Sequence, residues 1–379
     1  MMQAMAFFNA LEDHINKNLP VVAYRKPDEN VIQALLQKDK QSYTTTDFSE
    51  SGFVFSDFCG KKSFLIPEDK SEHISTELKT EDSIKETSEY IPEITNHTQQ
   101  KEHEELVEKA ITEIESGSMK KVVLARKEHS QTQLSAVSIF KNLLENYPKA
   151  FCYIWSHPES GIWLGATPET LVKVERNRFK TMALAGTQAF KATIDEATWT
   201  PKEVEEQKIV SDEIVQKLKD FKVSAGAINL SDPYTVKAGN LLHIRTDISA
   251  VLENDNLSNL LESLHPTPAV CGFPREKAKK FILENEHSDR EFYSGFLGEI
   301  NLKQEIKRNS NRRNQENQAY ASISKQSQIF VNLRCMKLVK GEAEIFIGGG
   351  ITVDSNPAAE WEETVNKSYT IKSVLVHQD

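Results

Sequence analysis

Apolar residues recur along this chain with two spacings, and each spacing predicts a different element. A helical spacing runs through Met1–Asn18, and through Glu102–Ser116 with Leu106, Ala110, Ile111 and Ile114 on one side and Gly117 as the stop. It returns in Leu134–Asn146, ended by Tyr147-Pro148, in Pro201–Lys219 with a stripe through Val210, Ile214 and Leu218, and in Pro274–Glu284. Strand-like runs fall at Gly52–Phe58, Lys121–Ala125, Phe151–Trp155, Gly161–Gly165, Thr170–Glu175 and Phe179–Ala185. Further apolar runs cover His243–Val251, Glu291–Leu302, Gln328–Lys340 and Glu344–Ile347. Strand clusters joined by hairpins, with helices between clusters and no regular βαβ alternation, predict an α+β fold with antiparallel sheets. Residues 71–101 are polar and charged and read as a linker between a short N-terminal part (1–70) and a core (102–379). Polar residues 303–327, with Arg308, Arg312 and Arg313, read as a long mobile loop on a hairpin.

The charge changes this picture only by exclusion. A formal net charge of -10 over 379 residues argues against a nucleic-acid or anionic-membrane surface. No run approaches the ~18 apolar residues that span a bilayer. The acidic N-terminal stretch is unlike a signal peptide, so a cytoplasmic monomer is the expectation. Cys59, Cys152, Cys271 and Cys335 lie far apart, without metal-ligand spacing, and read as reduced thiols.

Candidate chemistry gathers at the C-terminus. An apolar strand runs into Gly348-Gly349-Gly350, where backbone can approach a ligand closely. Asn356 then reads as an N-cap with Pro357 at the first helical position. Glu360, Glu363 and Lys367 share one face of that helix, either as an ordinary surface pair, which the spacing alone favours, or as a site for a cation beside an anion. Lys121 heads an apolar strand; it is a strand-end charge, as Lys120 beside it suggests, or a pocket lysine whose burial suits it to act as a base. Glu169, fixed by Pro168 on a turn, is a solvated turn residue or a general acid. Ala185-Gly186-Thr187 ends a strand as a plain turn or an anion contact. Glu206 prolongs the stripe of its helix, which is costly unless it is paired, or serves the helix dipole as any first-turn acid does. His243 and His265 sit in apolar surroundings that suit structural or orienting roles. No nucleophile elbow, Walker loop or dinucleotide turn is present.

In this order, eight segments resemble the chorismate-utilising enzymes, and isochorismate synthase most closely. They are Lys121-Val-Val-Leu-Ala-Arg126, Gly165-Ala-Thr-Pro-Glu169, Leu184-Ala-Gly-Thr187, Glu205-Glu-Gln-Lys-Ile-Val210, Leu264-His-Pro-Thr-Pro-Ala-Val270, Arg290-Glu-Phe-Tyr-Ser-Gly295, Val331-Asn-Leu-Arg334 and Gly348 to Lys367. The resemblance covers roughly residues 102–379. It implies a single domain of two antiparallel sheets packed face to face with helices outside.

It also implies a Mg2+ ion held by Glu206 and Glu363, with Glu360 assisting, against the ring carboxylate of chorismate. Lys121 would activate a water that attacks C2, and Glu169 would protonate the departing C4 hydroxyl. Arg334 and Lys367 would bind the substrate carboxylates, helped by backbone near Gly349 and Gly350 and by Gly186-Thr187, with His243 orienting the ring region. Ala185, where the aminodeoxychorismate branch carries a lysine, and Lys121, which anthranilate synthases usually lack, favour hydroxyl exchange to isochorismate. Salicylate or anthranilate formation and a non-catalytic chorismate-binding subunit are the rival readings. The chain departs from the family pattern at Gln207 (usually His), at Glu299 (often aromatic) and in the length of loop 303–327.

Overall fold

The structure, a computed structural model, describes residues 1–78, 97–190, 197–220, 227–238, 241–252, 257–306 and 322–376. The chain opens with α1 (Ala4–Asn16), β1 (Val21–Arg25), β2 (Val31–Gln37), β3 (Tyr43–Thr44), β4 (Gly52–Ser56), β5 (Ser63–Pro67) and β6 (Ser71–Glu77). Next come α2 (His97–Glu115), β7 (Lys121–Gln131), α3 (Ala136–Asn146), β8 (Phe151–His157), β9 (Gly161–Thr167), β10 (Thr170–Glu175) and β11 (Arg178–Ala189). They are followed by α4 (Pro201–Asp220), β12 (Asn229–Leu230), β13 (Tyr234–Ala238), β14 (Leu241–Val251), α5 (Leu257–Leu264), β15 (Gly272–Phe273) and α6 (Arg275–Asn285). The last are β16 (Phe296–Ile306), β17 (Ser322–Val331), β18 (Cys335–Val339), β19 (Glu342–Ile351) and α7 (Pro357–Lys372).

These strands form two sheets, ordered β15-β7-β19-β18-β9-β8-β1-β2-β6 and β12-β14-β11-β10-β17-β16-β4-β5-β3, with β13 also on β14. The described strand pairs are all antiparallel. The period of two in β8 shows how they pack. Phe151, Tyr153 and Trp155 point into an aromatic layer with Tyr24, Phe53, Phe55 and Phe330, drawn from both sheets. Cys152 and Ile154, on the other face, meet Phe140 and Leu143 of α3. Both faces of that strand are covered, which is why it reads as a continuous apolar run. On the outer face of the second sheet, Val210, Ile214 and Leu218 of α4 pack with Leu260 and Leu261 of α5 over Phe179 and Ile248. The α+β class, the two facing antiparallel sheets and the outer helices are as the sequence led us to expect.

Several expectations change. The N-terminal part is no short preamble, since β1, β2 and β6 belong to one sheet and β3 to β5 to the other. The linker expected from Ser71 begins as strand β6, paired from Ser71 to Glu77 along β2. It is an edge strand with much of its surface in water, so its polar sequence (SEHISTE) hides the element. Residues 79–96 lie outside the described residues. Of the expected loop 303–327, residues 303–306 and 322–327 extend β16 and β17, and 307–321 lie outside the described residues.

Two chain crossings set up the site. The chain passes from the first sheet to the second through Pro168-Glu169, between β9 and β10, and returns through residues 332–334, between β17 and β18. The crossings are bonded to each other, with Thr167 Oγ1 donating to Val331 O (2.7 Å), Val331 N to Glu169 O (3.0 Å) and Ala166 N to Arg334 O (3.1 Å). The Glu169 turn is therefore not the hairpin its local sequence suggests.

Candidate active site

A cleft enclosing about 770 Å³ of free space, part of it open to solvent, lies beside these crossings. Glu169 and Arg334 of the crossings, Leu184 to Thr187 of β11, Glu206 of α4, His243 of β14, Gly348 and Gly350 of β19, and Lys367 of α7 line it. β18 ends opposite Phe346, while β19 stays paired with β7 as far as Ile351. Past Phe346 one edge of β19 is thus free of β18, and its glycines meet the cleft. A Cβ on Gly350 would stand 2.4 Å from Glu206 Oε1 and 3.0 Å from Lys121 Cε, so only glycine lets these side chains approach. A Cβ on Gly349 would lie 3.6 Å from Glu360 Oε2 and 3.8 Å from Glu363 Oε1. Gly349 itself is absent from the cleft lining; it backs the carboxylates of α7.

The helix that presents those carboxylates forms as its sequence predicts: Asn356 caps it, accepting from Ala359 N at 3.1 Å, and Pro357 follows. Lys367 Nζ lies 2.6 Å from Glu363 Oε1 and donates to Gly348 O at 2.9 Å. The Glu363–Lys367 pair is thus an i,i+4 pair turned inward, not a solvated one. Glu360 is buried, and among the described residues its Oε2 has no hydrogen-bond partner. Burial, and then the neighbouring Glu363, push its carboxyl up, against the pull of Lys202.

Lys121 is fully buried, with Nζ 2.9 Å from Glu206 Oε1, so it is no strand-end charge in solvent; it does not itself line the cleft and borders it through Glu206. Burial works to raise the Glu206 carboxyl, but Lys121, Lys202 and Lys367 outweigh it and hold it below the ordinary range. Glu169 is buried too. Burial pushes it up to about 8, against the pull of Lys121, so it keeps its proton at neutral pH.

Gly186, at φ +71°, makes a bulge where the β11–β14 register shifts, and β11 continues past it to Ala189. His243 Nδ1 donates to Gly186 O (2.9 Å) and lies 3.3 Å from Thr187 Oγ1. Its Nε2 accepts from Arg334 Nη2 at 2.6 Å. Burial, and then Arg334, keep this histidine well below its ordinary pKa, as that neutral tautomer requires. His243 thus lines the cleft and is hydrogen-bonded to Arg334 beside it. Burial lowers Arg334 only to about 10, so it remains a cation.

Local sequence reading missed one residue. Lys202, on the first turn of α4, reaches Glu360 of α7 with its ammonium, and Glu363 and Glu206 add to the field that keeps it charged against the cost of burial. Its spacing of four residues before Glu206 was the available signal. The departures from the family pattern also find their places. Gln207 is buried and donates to Ala183 O (3.1 Å) and Thr246 Oγ1 (3.2 Å), fastening α4 to the sheet. Glu299 does not line the cleft; it pairs with Lys26 between the sheets.

The donor set suits a hard divalent cation. Glu206, Glu360 and Glu363 offer carboxylate oxygens around the glycine edge. Among the described residues no three His, Cys, Asp or Glu side chains close on one point; lysines hold the glutamates instead.

The chain is 25% identical over 392 aligned positions to isochorismate synthase MenF of Haemophilus influenzae, covering 93% of this chain and 85% of that one. It is 26% identical to isochorismate synthase MenF of Escherichia coli over 72% of this chain and 59% of the relative. The fold matches that of a putative 2,3-dihydroxybenzoate-specific isochorismate synthase, DhbC, from Bacillus anthracis, with TM-score 0.74 at 20% identity over 96% of this chain and 99% of that one. Two family descriptions, both of chorismate binding enzymes, match residues 57–306 and 319–373. The first alone spans more than half the sequence and takes in Lys121, Glu169, Gly186, Glu206 and His243, and the second takes in Arg334 and α7; the chain belongs to the chorismate-binding enzyme family.

Proposed function

We propose that this protein is an isochorismate synthase, converting chorismate to isochorismate with Mg2+. The observation that carries the reading is a buried carboxyl, Glu169, poised at about 8, in a cleft also lined by Glu206, whose carboxylate is paired with the buried amine of Lys121. An acid in the cleft wall and an amine just behind Glu206 suit a reaction that adds water at one ring carbon and expels it from another. Lys121 takes a proton from a water as its oxygen bonds to C2. The ring double bonds shift, the C4–O bond breaks, and Glu169 gives its proton to the departing hydroxyl, which leaves as water. No electron is gained or lost overall.

Arg334, fixed by His243, and Lys367, fixed by Gly348 O, supply cations for the two substrate carboxylates. Gly186 and Thr187 bound the cleft beside them, Gly350 lines it, and Gly349 gives the carboxylates of α7 room behind it. Glu206, Glu360 and Glu363 would hold the Mg2+ ion, which supplies positive charge for the ring carboxylate. Ala185, small and in the cleft wall, offers no amine to attack the ring, which supports hydroxyl exchange over amination. Purified protein incubated with chorismate and Mg2+, without an ammonia source, should yield isochorismate by NMR. Salicylate with pyruvate as the products, or no turnover, would overturn the proposal.

A further inference from the structure

Each of the three glutamates proposed to bind the metal is held by a lysine: Glu206 by Lys121, Glu363 by Lys367 and Glu360 by Lys202. The reaction as written uses the first two lysines and leaves Lys202 without a part. Its position is unusual. α4 packs on the second sheet through β11, whereas α7 packs on β19 of the first sheet, so the Lys202–Glu360 pair joins the two layers across the glycine edge. Glu360 and Glu363 lie three residues apart on one helix face, where like charges repel. The Lys202 ammonium, paired with Glu360 and in the field of Glu363, relieves that repulsion much as a divalent cation would.

We propose that Lys202 is the internal counter-ion of these carboxylates, holding Glu360 until a divalent ion displaces it, so that metal affinity reflects competition with this side chain. The idea rests on the metal role given above to Glu206, Glu360 and Glu363. Two features make displacement feasible. Lys202 has 22% of its side chain exposed, so the freed ammonium has a path to water, whereas Glu360 at 2% cannot leave. Among the described residues the second oxygen of Glu360 has no hydrogen-bond partner, so an incoming ion can meet that oxygen before it must break the ion pair. Lys202 is thus a positioning residue, acting through Glu360.

The test is calorimetric titration of Mg2+, without substrate, into the wild-type chain, Lys202→Met and Glu363→Gln, with thermal unfolding in EDTA and in saturating Mg2+. Lys202→Met should bind Mg2+ about tenfold more tightly, as removal of one charged hydrogen-bonding competitor implies. Its Tm should fall below wild type in EDTA and return to it in Mg2+. Lys202 sits on an exposed first turn, so the variant should fold, and Lys202→Gln provides the same comparison if the methionine aggregates. Unchanged or weaker Mg2+ binding, or an equal Tm deficit in both buffers, would make Lys202 a plain structural brace and sink the proposal. In that case Mg2+ uptake by wild type and its loss in Glu363→Gln would leave the metal assignment standing. No uptake by the wild type would remove that assignment, and the counter-ion role with it.

Discussion

Two of the sets of buried charges among the described residues are built in opposite ways. Between the sheets, Glu299 of β16 uses both oxygens, taking Lys26 at 2.7 Å on Oε2 and the Tyr24 hydroxyl at 2.6 Å on Oε1. Lys26 and Tyr24 come from the end of the first sheet's β1, so the cluster ties one sheet to the other. Burial, and then Glu299, raise Tyr24 well above its ordinary pKa, so it stays a donor. Beside the cleft, by contrast, three lysines from β7, α4 and α7 hold three glutamates, and among the described residues Glu360 keeps an unused oxygen and no ion pair holds Glu169, which feels only the field of Lys121. A sealed, fully partnered charge serves packing. A charge left with spare valence beside a cavity is available to a ligand.

The largest effect that separates the two sets should be on turnover. Lys121→Ala and Glu169→Gln should each lower kcat by about 10²–10⁴-fold, the usual weight of a positioned acid or base. Circular dichroism should show both variants folded. Wild-type rates in either would move the chemistry elsewhere and erase the distinction drawn here. Next in size is Glu299→Gln, which strips Lys26 of its counter-charge where water cannot reach it. Leaving one partner of a buried pair uncompensated costs about 3–5 kcal/mol. Urea unfolding should register that loss, while kcat of the folded fraction stays near wild type. A fall in kcat without loss of stability would show that Glu299 reaches the substrate after all.

Much of this was readable from the chain, and the failures share a cause. The cap and helix of α7, the glycine edge and the stripe of α4 depend on neighbours within a few residues, and each formed as its local pattern requires. What local pattern could not show were the partners brought in from far along the chain. Lys202 meets Glu360 across 158 residues, and Glu299 meets Tyr24 across 275. The Thr-Pro-Glu turn looks like a hairpin because nothing within it records that its two strands belong to different sheets. Strand β6 escaped because an edge strand needs few apolar residues. The Gly186 bulge escaped because a glycine that ends a strand and one that kinks it have the same sequence.

The smallest effect gives the comparison its sharpest form, because the same substitution should act in opposite directions at the two sites. Glu169 has a folded pKa of about 8, while a carboxyl in the unfolded chain titrates at about 4.3. Between those values the native protein keeps a proton that the unfolded chain has released. Stability therefore falls as pH rises through that window, is fully present below it, and levels off above it. Glutamine carries no such proton, so Glu169→Gln should unfold at higher urea than wild type at pH 9, by a few kcal/mol at most, and match it more nearly at pH 5. Wild-type kcat should show the same group as a basic limb near pH 8, falling about tenfold per unit beyond it as the acid is lost. Glu299→Gln, by contrast, should be the weaker protein at pH 7. If both glutamines destabilise at pH 9 by similar amounts, then Glu169 is as firmly partnered as Glu299, and burial beside a cavity has not set it apart as an acid.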